Sequence, residues 1–324
     1  MKPMRASSAA NAAELRKKIS VVIPVYKSET ILDHTLDRTI AFFEANDLPF
    51  EIILVNDNSP DGVWDVIERR SAADSRIKGI SLVKNYGQHI ANFAGFRYVT
   101  GDCVVTMDDD LQNPPEEITK LISAWNAGAD FVVGRFERKQ HGGLRRLGTS
   151  AMHQINKSVF KGPKGFHHSN FRLIDRSVID RLNAYKGRRP YTSGLAMMFC
   201  NRPINVVVSH AQREEGASNY TLRRLIALAW NVVFNYSRLP MRILLFIGFA
   251  LSLVMGLYAG FLLIRAFFYE ATIPGWTSLG VLISFSNAII LLMLSLIAEY
   301  LSVILDQLRS SEPYHVRDMV GIDA

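Results

Sequence analysis

For its first two hundred residues the chain alternates short apolar runs with segments of helical spacing. Ile19 to Val25 and Phe50 to Val55 are near-continuous apolar runs, and between them the apolar residues of 29–45 recur at helical intervals. The second run ends in the turn Asn56-Asp57-Asn58-Ser59-Pro60-Asp61-Gly62. Strand, helix, strand and acidic turn predict a βαβ unit. The pattern continues with a helix over 63–69, a strand over 77–83, a helix over 88–98 and a strand over 103–106. A helix over 115–127 and a strand over 131–134 follow, and strands at 171–174, 197–200 and 204–208 are expected to complete the sheet. Continuous apolar strands alternating with helices predict a mostly parallel sheet covered on both faces.

A different pattern takes over near the end of the chain. Residues 243–264 carry no charge, and neither do 271–298, which are most apolar from Leu279 onward. A bilayer core needs roughly 20 apolar residues per helix, so two transmembrane helices are expected. Arg223, Arg224, Arg238 and Arg242 precede the first, Arg309 and Arg317 follow the second, and the connection is nearly chargeless. The positive-inside rule then puts both termini and the N-terminal region on the cytoplasmic side, as a multi-pass protein of the inner membrane. Residues 216–242, with Trp230, Phe234 and Tyr236 among arginines, read as amphipathic helices in the membrane interface.

Composition narrows the possibilities. Of 324 residues, more than two hundred precede the hairpin, enough for one substantial α/β domain. The net charge of +7 is concentrated in arginines near the membrane boundary, and no nucleic-acid motif occurs, so anionic lipid and phosphate substrates explain it better. Cys103 and Cys200 have no metal-ligand spacing and are expected as reduced, buried thiols. Residues 1–18 are Ala/Ser-rich and basic without an apolar signal core, and read as a mobile tail.

Candidate chemistry concentrates in Asp108-Asp109-Asp110-Leu111-Gln112, placed directly after the strand Cys103-Val104-Val105-Thr106. Acids at the C-terminal end of such a strand fall in the crevice where open α/β sheets bind ligands. Oxygen ligands suit Mg²⁺ or Mn²⁺ shared with a diphosphate. Capping of the helix opened by Asn113-Pro114-Pro115-Glu116-Glu117 is the alternative, for which one residue would suffice. Carboxylates hold base and ribose by accepting hydrogen bonds, a role for which Asp57 is placed, and hold phosphates through a metal, for which Asp110 is placed. No P-loop or dinucleotide fingerprint is present, which argues against ATPases and dehydrogenases and leaves a sugar nucleotide as the better fit.

Five ordered segments carry a family likeness: Val21-Val22-Ile23-Pro24-Val25-Tyr26, Asn56 to Gly62, Lys84-Asn85-Tyr86-Gly87-Gln88, Asp108 to Glu116, and Arg213-Glu214-Glu215-Gly216-Ala217-Ser218. With the hairpin, they make the chain from about residue 19 onward resemble the polyprenyl-phosphate glycosyltransferases of glycosyltransferase family 2. The resemblance implies a GT-A, Rossmann-like catalytic domain over 19–215, followed by interfacial helices over 216–242, the hairpin over 243–305 and a cytoplasmic tail over 306–324. It implies an inverting transfer of one sugar from a nucleotide sugar, preferably a UDP-sugar, to undecaprenyl phosphate or a similar lipid, without nucleic acid. Pro24, Tyr26, Glu29, Asp57, Lys84, Gln88, Asp108 and Asp109 would form the nucleotide-sugar site, and Asp110 and Gln112 would bind the metal. Arg135, Arg146, Ser150 and Arg213 would hold the acceptor phosphate, with Asp110, Arg135 and Arg213 at the centre of the chemistry. Arginine suits phosphate because its planar fork bonds two oxygens at once.

Three departures from the family pattern stand out. Gly165-Phe166-His167-His168-Ser169-Asn170 replaces the segment in which relatives often carry an acid and a glycine before Phe171-Arg172. Asn219 stands where a lysine often follows the Gly-x-Ser motif, and Asn56 where an aspartate is usual. A separate flippase and a downstream glycosyltransferase would complete the pathway, and Gly256 and Gly260 offer a small-residue face for homo-oligomers. The competing readings are a membrane transferase acting on a saccharide or lipid hydroxyl, and a non-catalytic scaffold.

Overall fold

The computed structural model describes residues 17–136, 163, 165–187, 190–209, parts of 246–261, 275–308 and 312–322. Residues 1–220 with 310–324 form one compact unit and 221–309 another.

The first unit is built on β1 (Ile19–Val25), α1 (Leu32–Ala45), β2 (Phe50–Asn56), α2 (Val63–Ala73), β3 (Ile77–Leu82), α3 (Gln88–Phe96) and β4 (Cys103–Thr106). A 3₁₀ turn (Pro115–Glu117), α4 (Ile118–Asn126), β5 (Phe131–Phe136), β6 (Arg172–Asp175), α5 (Arg176–Asn183), α6 (Thr192–Phe199) and β7 (Pro203–Val208) follow. Eight strands run in the order β7-β5-β6-β4-β1-β2-β3-β8, where β8 is Val316–Val320. The core β4-β1-β2-β3 is parallel, as expected. The sheet as a whole is mixed, because β6 runs antiparallel to β4 and β5, and β8 antiparallel to β3.

Every residue of β1 and β2 is buried, because helices cover both faces and no alternation is needed. Gly95 lets α3 lie directly on the sheet: a Cβ there would come within 2.6 Å of Val22 Cγ1. On the other side Leu32, Leu36 and Phe43 of α1 join the core, with the Phe43 ring stacked on Phe50 at 4.8 Å. β1 and β4 flank the point at which strand order reverses. The amide of Met107 bonds to Val22 O at 3.3 Å, and the next donor in that alternation belongs to Pro24, which has none. Pairing between β1 and β4 therefore stops, and their C-terminal ends part around a crevice.

Two expectations need correction. Residues 197–200 were expected as a strand, but Met197 to Phe199 close helix α6 and Cys200 is its C-cap. Leu195, Ala196, Met197 and Met198 are strong helix formers without β-branching, and the preceding residues are buried as a helix. The tail 306–324 contains β8, an edge strand that the sequence reading did not assign.

In the second unit, α7 (Trp276–Leu308) has 33 residues. A Cβ at Gly248 would stand 2.5 Å from Met293 Cε, so the segment around Gly248 packs closely on α7. Among the described residues no helix is long and apolar enough to cross a membrane; the described side chains of α7 come in short runs. The hairpin expected over 243–305 is not established by it.

At the opposite edge from the crevice, the buried carboxylate of Glu51 collects Ser20 Oγ at 2.6 Å, the Thr100 amide at 2.6 Å and Lys18 and Lys78, both at 3.0 Å. Burial alone would raise its pKa, but these donors outweigh burial and hold it at about 2. A folded-state value below the ordinary one means stability that is present above about pH 4.5 and lost as pH falls toward 2. Glu51→Gln should lower stability by about 2–3 kcal/mol at neutral pH. Denaturant titration of the full chain should also show a shallower acid-induced loss of stability than in the wild type.

Candidate active site

The C-terminal ends of β1 to β4 all leave the sheet on one edge, and their loops turn through left-handed residues. These are Lys27 (φ 59°), Asn58 (φ 51°), Gly87 (φ 90°) and Leu111 (φ 56°). Three of the four are not glycine, and such strain persists where surrounding contacts over-determine it.

Those contacts are made mostly by carboxylates. Asp57, 4% exposed, accepts the amides of Tyr86 and Gly87, each at 2.7 Å, one on each oxygen. It thereby ties the loop after β3 to the end of β2. Burial raises its pKa and the two amides oppose the rise. Asp109 accepts the Tyr26 amide at 3.1 Å and the Ser28 hydroxyl, while its own carbonyl accepts Thr35 Oγ1 at 2.9 Å. Its recorded bonds thus lace the β4 end to the β1 loop across the crevice. Glu29 and Asp61 join the β1 and β2 loops in the same manner, Glu29 Oε2 accepting the Gly62 amide at 2.9 Å and the Glu29 amide donating to Asp61 at 3.0 Å.

Asp108 is held by three side-chain amides: Gln88 Nε2, Asn170 Nδ2 at 2.7 Å and Asn113 Nδ2 at 3.3 Å. Burial first, then the Asp110 charge, raises its pKa against those bonds. For Asp109, burial pushes the pKa up to about 7, opposed by Ser28 and Tyr26 and reinforced by Asp108 and Asp110. Asp110 Oδ1 accepts the main-chain amide of Gln112, the other expected metal ligand, at 3.2 Å. Among the described residues no ion pair to Asp108 or Asp109 is recorded.

An accumulation of incompletely neutralised carboxylate is what a hard divalent cation would relieve, and the oxygen-only donors of Asp110 and Gln112 fit Mg²⁺ or Mn²⁺. Among the described residues no group of three or more His, Cys, Asp or Glu could hold a metal alone. An ion here would therefore leave positions for a diphosphate and water, as Mg²⁺ sites commonly do.

Pro24 lies in β1 and acts on the crevice through the pairing it ends; Tyr26 is exposed at its rim. Lys84 stacks its ammonium over the Tyr86 ring at 5.0 Å. Arg135 is exposed at the C-terminal end of β5. Extending the register of β4-β6-β5 puts Arg135 level with Asn170 and Asp108. Arg146, Ser150 and Arg213 lie outside the described residues, as does Asn219.

Beneath the acids lies a layer of which sequence reasoning singled out Arg172, as a residue facing the site, but not the pairing of Asn92 with Asn170. Asn92 Nδ2 donates to Asn170 Oδ1 at 2.7 Å, behind the bond from Asn170 to Asp108. A lone amide in the otherwise apolar turn Ile90-Ala91-Asn92-Phe93-Ala94 was the available signal. Arg172, 1% exposed, donates to Thr106 Oγ1 at 3.2 Å, Ser193 Oγ at 2.6 Å and Thr192 Oγ1 at 3.1 Å. Burial lowers its pKa to about 10, with Tyr191 and Asp108 opposing. His89 stands 3.0 Å from Thr192 Oγ1 and is kept neutral, its pKa pushed down to about 3 by burial and by the nearby Arg172 and His168. His167 and His168 are packed locally: the His167 amide and carbonyl bond to the Asn205 side chain, and the His168 ring meets Phe166 at 5.2 Å.

The sequence that forms this crevice matches a known family. The description of Glycosyl transferase family 2 covers residues 20–183, about half of the chain. The chain belongs to glycosyltransferase family 2. It is thus a glycosyltransferase. An undecaprenyl-phosphate 4-deoxy-4-formamido-L-arabinose transferase of Aeromonas hydrophila is 35% identical over 314 residues, covering 94% of both chains. The transferase of the same name from Proteus mirabilis is 31% identical, again over 94% of both. In the fold, glucosyl-3-phosphoglycerate synthase of Mycobacterium tuberculosis, solved with Mn²⁺, UDP and phosphoglyceric acid, superposes with a TM-score of 0.51 at 17% identity. That match covers 72% of this chain and 82% of the other, and shows the GT-A-like architecture.

Asp57→Ala should free the amides of Tyr86 and Gly87. Hydrogen bonds to a charged group contribute about 1.5–3 kcal/mol each, so hydrogen exchange at those two amides should accelerate at least tenfold while protection in β1 and β2 is retained.

Proposed function

We propose that this glycosyltransferase moves a single sugar, with inversion, from a nucleotide sugar to a polyprenyl phosphate at the cytoplasmic face of the membrane. Undecaprenyl phosphate is the favoured lipid and a UDP-sugar the favoured donor. The observation that carries the reading is the acidic crevice at the β1/β4 switch point, in a chain whose near-full-length relatives are named for transfer to undecaprenyl phosphate.

The roles follow from the chemistry of the residues. Asp57, with the Tyr86–Gly87 loop it anchors, forms the nucleoside end, and Asp108, oriented by its three amides, the ribose side. Asp110 and Gln112 would hold the divalent ion, which supplies charge neutralisation of the leaving diphosphate. Arg135, with Arg146, Ser150 and Arg213, would receive the acceptor phosphate. A phosphate monoester has its second pKa at about 6 and is already mostly ionised at neutral pH. It needs no strong general base, and the protein's task is to bring two anions into line. The absence of an acid before Phe171, where Asn170 stands instead, accords with that.

For the membrane, support comes from the uncharged stretches 243–264 and 271–298 and from α7. Ile283, Phe285, Ile290, Leu292 and Leu294 are all exposed along it, which suits contact with lipid.

The test is transfer by detergent-purified protein from a panel of nucleotide sugars to undecaprenyl phosphate, with undecaprenol as control. Product should form with the phosphate alone, in the presence of Mg²⁺ or Mn²⁺, and be cleaved by mild acid; transfer to undecaprenol would sink the proposal. Asp110→Asn should reduce transfer by at least roughly 10²-fold in a folded protein, and near-normal activity would remove Asp110 from the metal site.

A further inference from the structure

The C-terminal strand reaches the nucleoside end of the crevice from outside. β8 pairs with β3 in the register Gly79↔Val320, Ile80↔Met319 and Ser81↔Asp318, and then Leu82↔Val316. Arg317 is thus the extra residue of a bulge, a device that re-aims a side chain beside an active site. Its guanidinium donates to Ser81 Oγ at 2.9 Å and reaches Asn58 Oδ1 at 3.4 Å, with Asp318 at 3.0 Å on Nε. Asn58 is the left-handed residue directly after Asp57. Two residues earlier, the His315 amide donates to Tyr86 Oη at 3.2 Å, and His315 O accepts the Val83 amide at 3.0 Å. Tyr86 is one of the two residues whose amides Asp57 binds. The approach to the strand is secured separately, by buried Tyr314 and by an Arg97–Glu312 pair at 3.0 Å.

We propose that residues 315–317 form an outer clamp of the donor site, in which Arg317 is a positioning residue for the nucleoside-binding turn. The clamp holds both halves of the Asp57 cradle, the turn at Asn58 and the loop at Tyr86, and so sets donor affinity while leaving the transfer step alone. The inference rests on the nucleotide-sugar reading above.

The experiment is calorimetric titration of the full-length, detergent-purified protein with UDP, GDP and dTDP in the presence of Mn²⁺. The nucleotide that the wild type binds is then used on Arg317→Ala, Arg317→Lys and Tyr86→Phe. Arg317→Ala should weaken binding about tenfold, with the lysine variant recovering part of the loss. Tyr86→Phe, which removes one oxygen atom from the other half of the clamp, should weaken it several-fold and keeps the test alive if the alanine variant does not fold. With the corresponding sugar nucleotide, KM for the donor should rise while kcat and KM for the lipid stay within about twofold. Unchanged nucleotide affinity in both variants would overturn the clamp and leave the transferase reading intact. Equal losses in kcat, lipid KM and melting temperature would reduce Arg317 to a structural role. A wild type that binds none of the three nucleotides would overturn the donor reading and the clamp together.

Discussion

Mutual repulsion among carboxylates at one edge of an apolar sheet is the constraint around which this catalytic unit is built. Asp57 directly follows β2, and Asp108, Asp109 and Asp110 follow β4 beside the end of β1, where the strands leave the core and the charges of the last three raise one another's cost. The described surroundings answer the charge of Asp57, Asp108 and Asp109 with neutral donors. Backbone amides of Tyr26, Tyr86 and Gly87, and the side-chain amides of Gln88, Asn113 and Asn170, supply oriented dipoles. Such donors fix geometry without cancelling the field, so the crevice keeps a negative potential.

The same bonds stabilise the strained loops. Lys27, Asn58 and Leu111 each hold a backbone conformation that costs an L-residue about 1–2 kcal/mol. Each lies within two residues of a carboxylate that binds a neighbouring loop or is itself held by one. Beneath them, Arg172 in its shell of three hydroxyls places a positive charge under Asp108 without a direct ion pair. A carboxylate in that place would neutralise Arg172 and leave Asp108 more isolated.

How much of this could be read beforehand depended on the physical signal. The central strands were legible because burial on both faces leaves uninterrupted runs such as Val21-Val22-Ile23, and Asp57 and Asp108 to Asp110 because acids directly after such runs have few other uses. Residues 197–200 misled because four apolar residues fit a strand or a buried helix equally well, and only the helix formers around Ala196 arbitrate. β8 was invisible because an edge strand needs no apolar face: in Val316-Arg317-Asp318-Met319-Val320 the three central residues are exposed. Asn170 and Asn92 were missed as a pair because their partnership spans 78 residues of sequence. Glu29 and Asp109 were expected to face the nucleotide, and the bonds they make run between loops.

The position of β8 in the chain has a consequence for synthesis. Among the described strands it leaves the ribosome after all the others and after residues 221–309, yet it pairs with β3, the third of them. During that interval β3 is an open edge, with unpaired amides and carbonyls and, at Ser81 and Tyr86, no Arg317 or His315 to meet. A nascent chain thus has the acidic edge early and the bonds from Arg317 and His315 to Asn58, Ser81 and Tyr86 only when residues 312–320 arrive. The late strand makes these loop contacts conditional on residues 221–309 having been made first, so that a chain stopped before them keeps an uncovered sheet edge beside its acidic crevice.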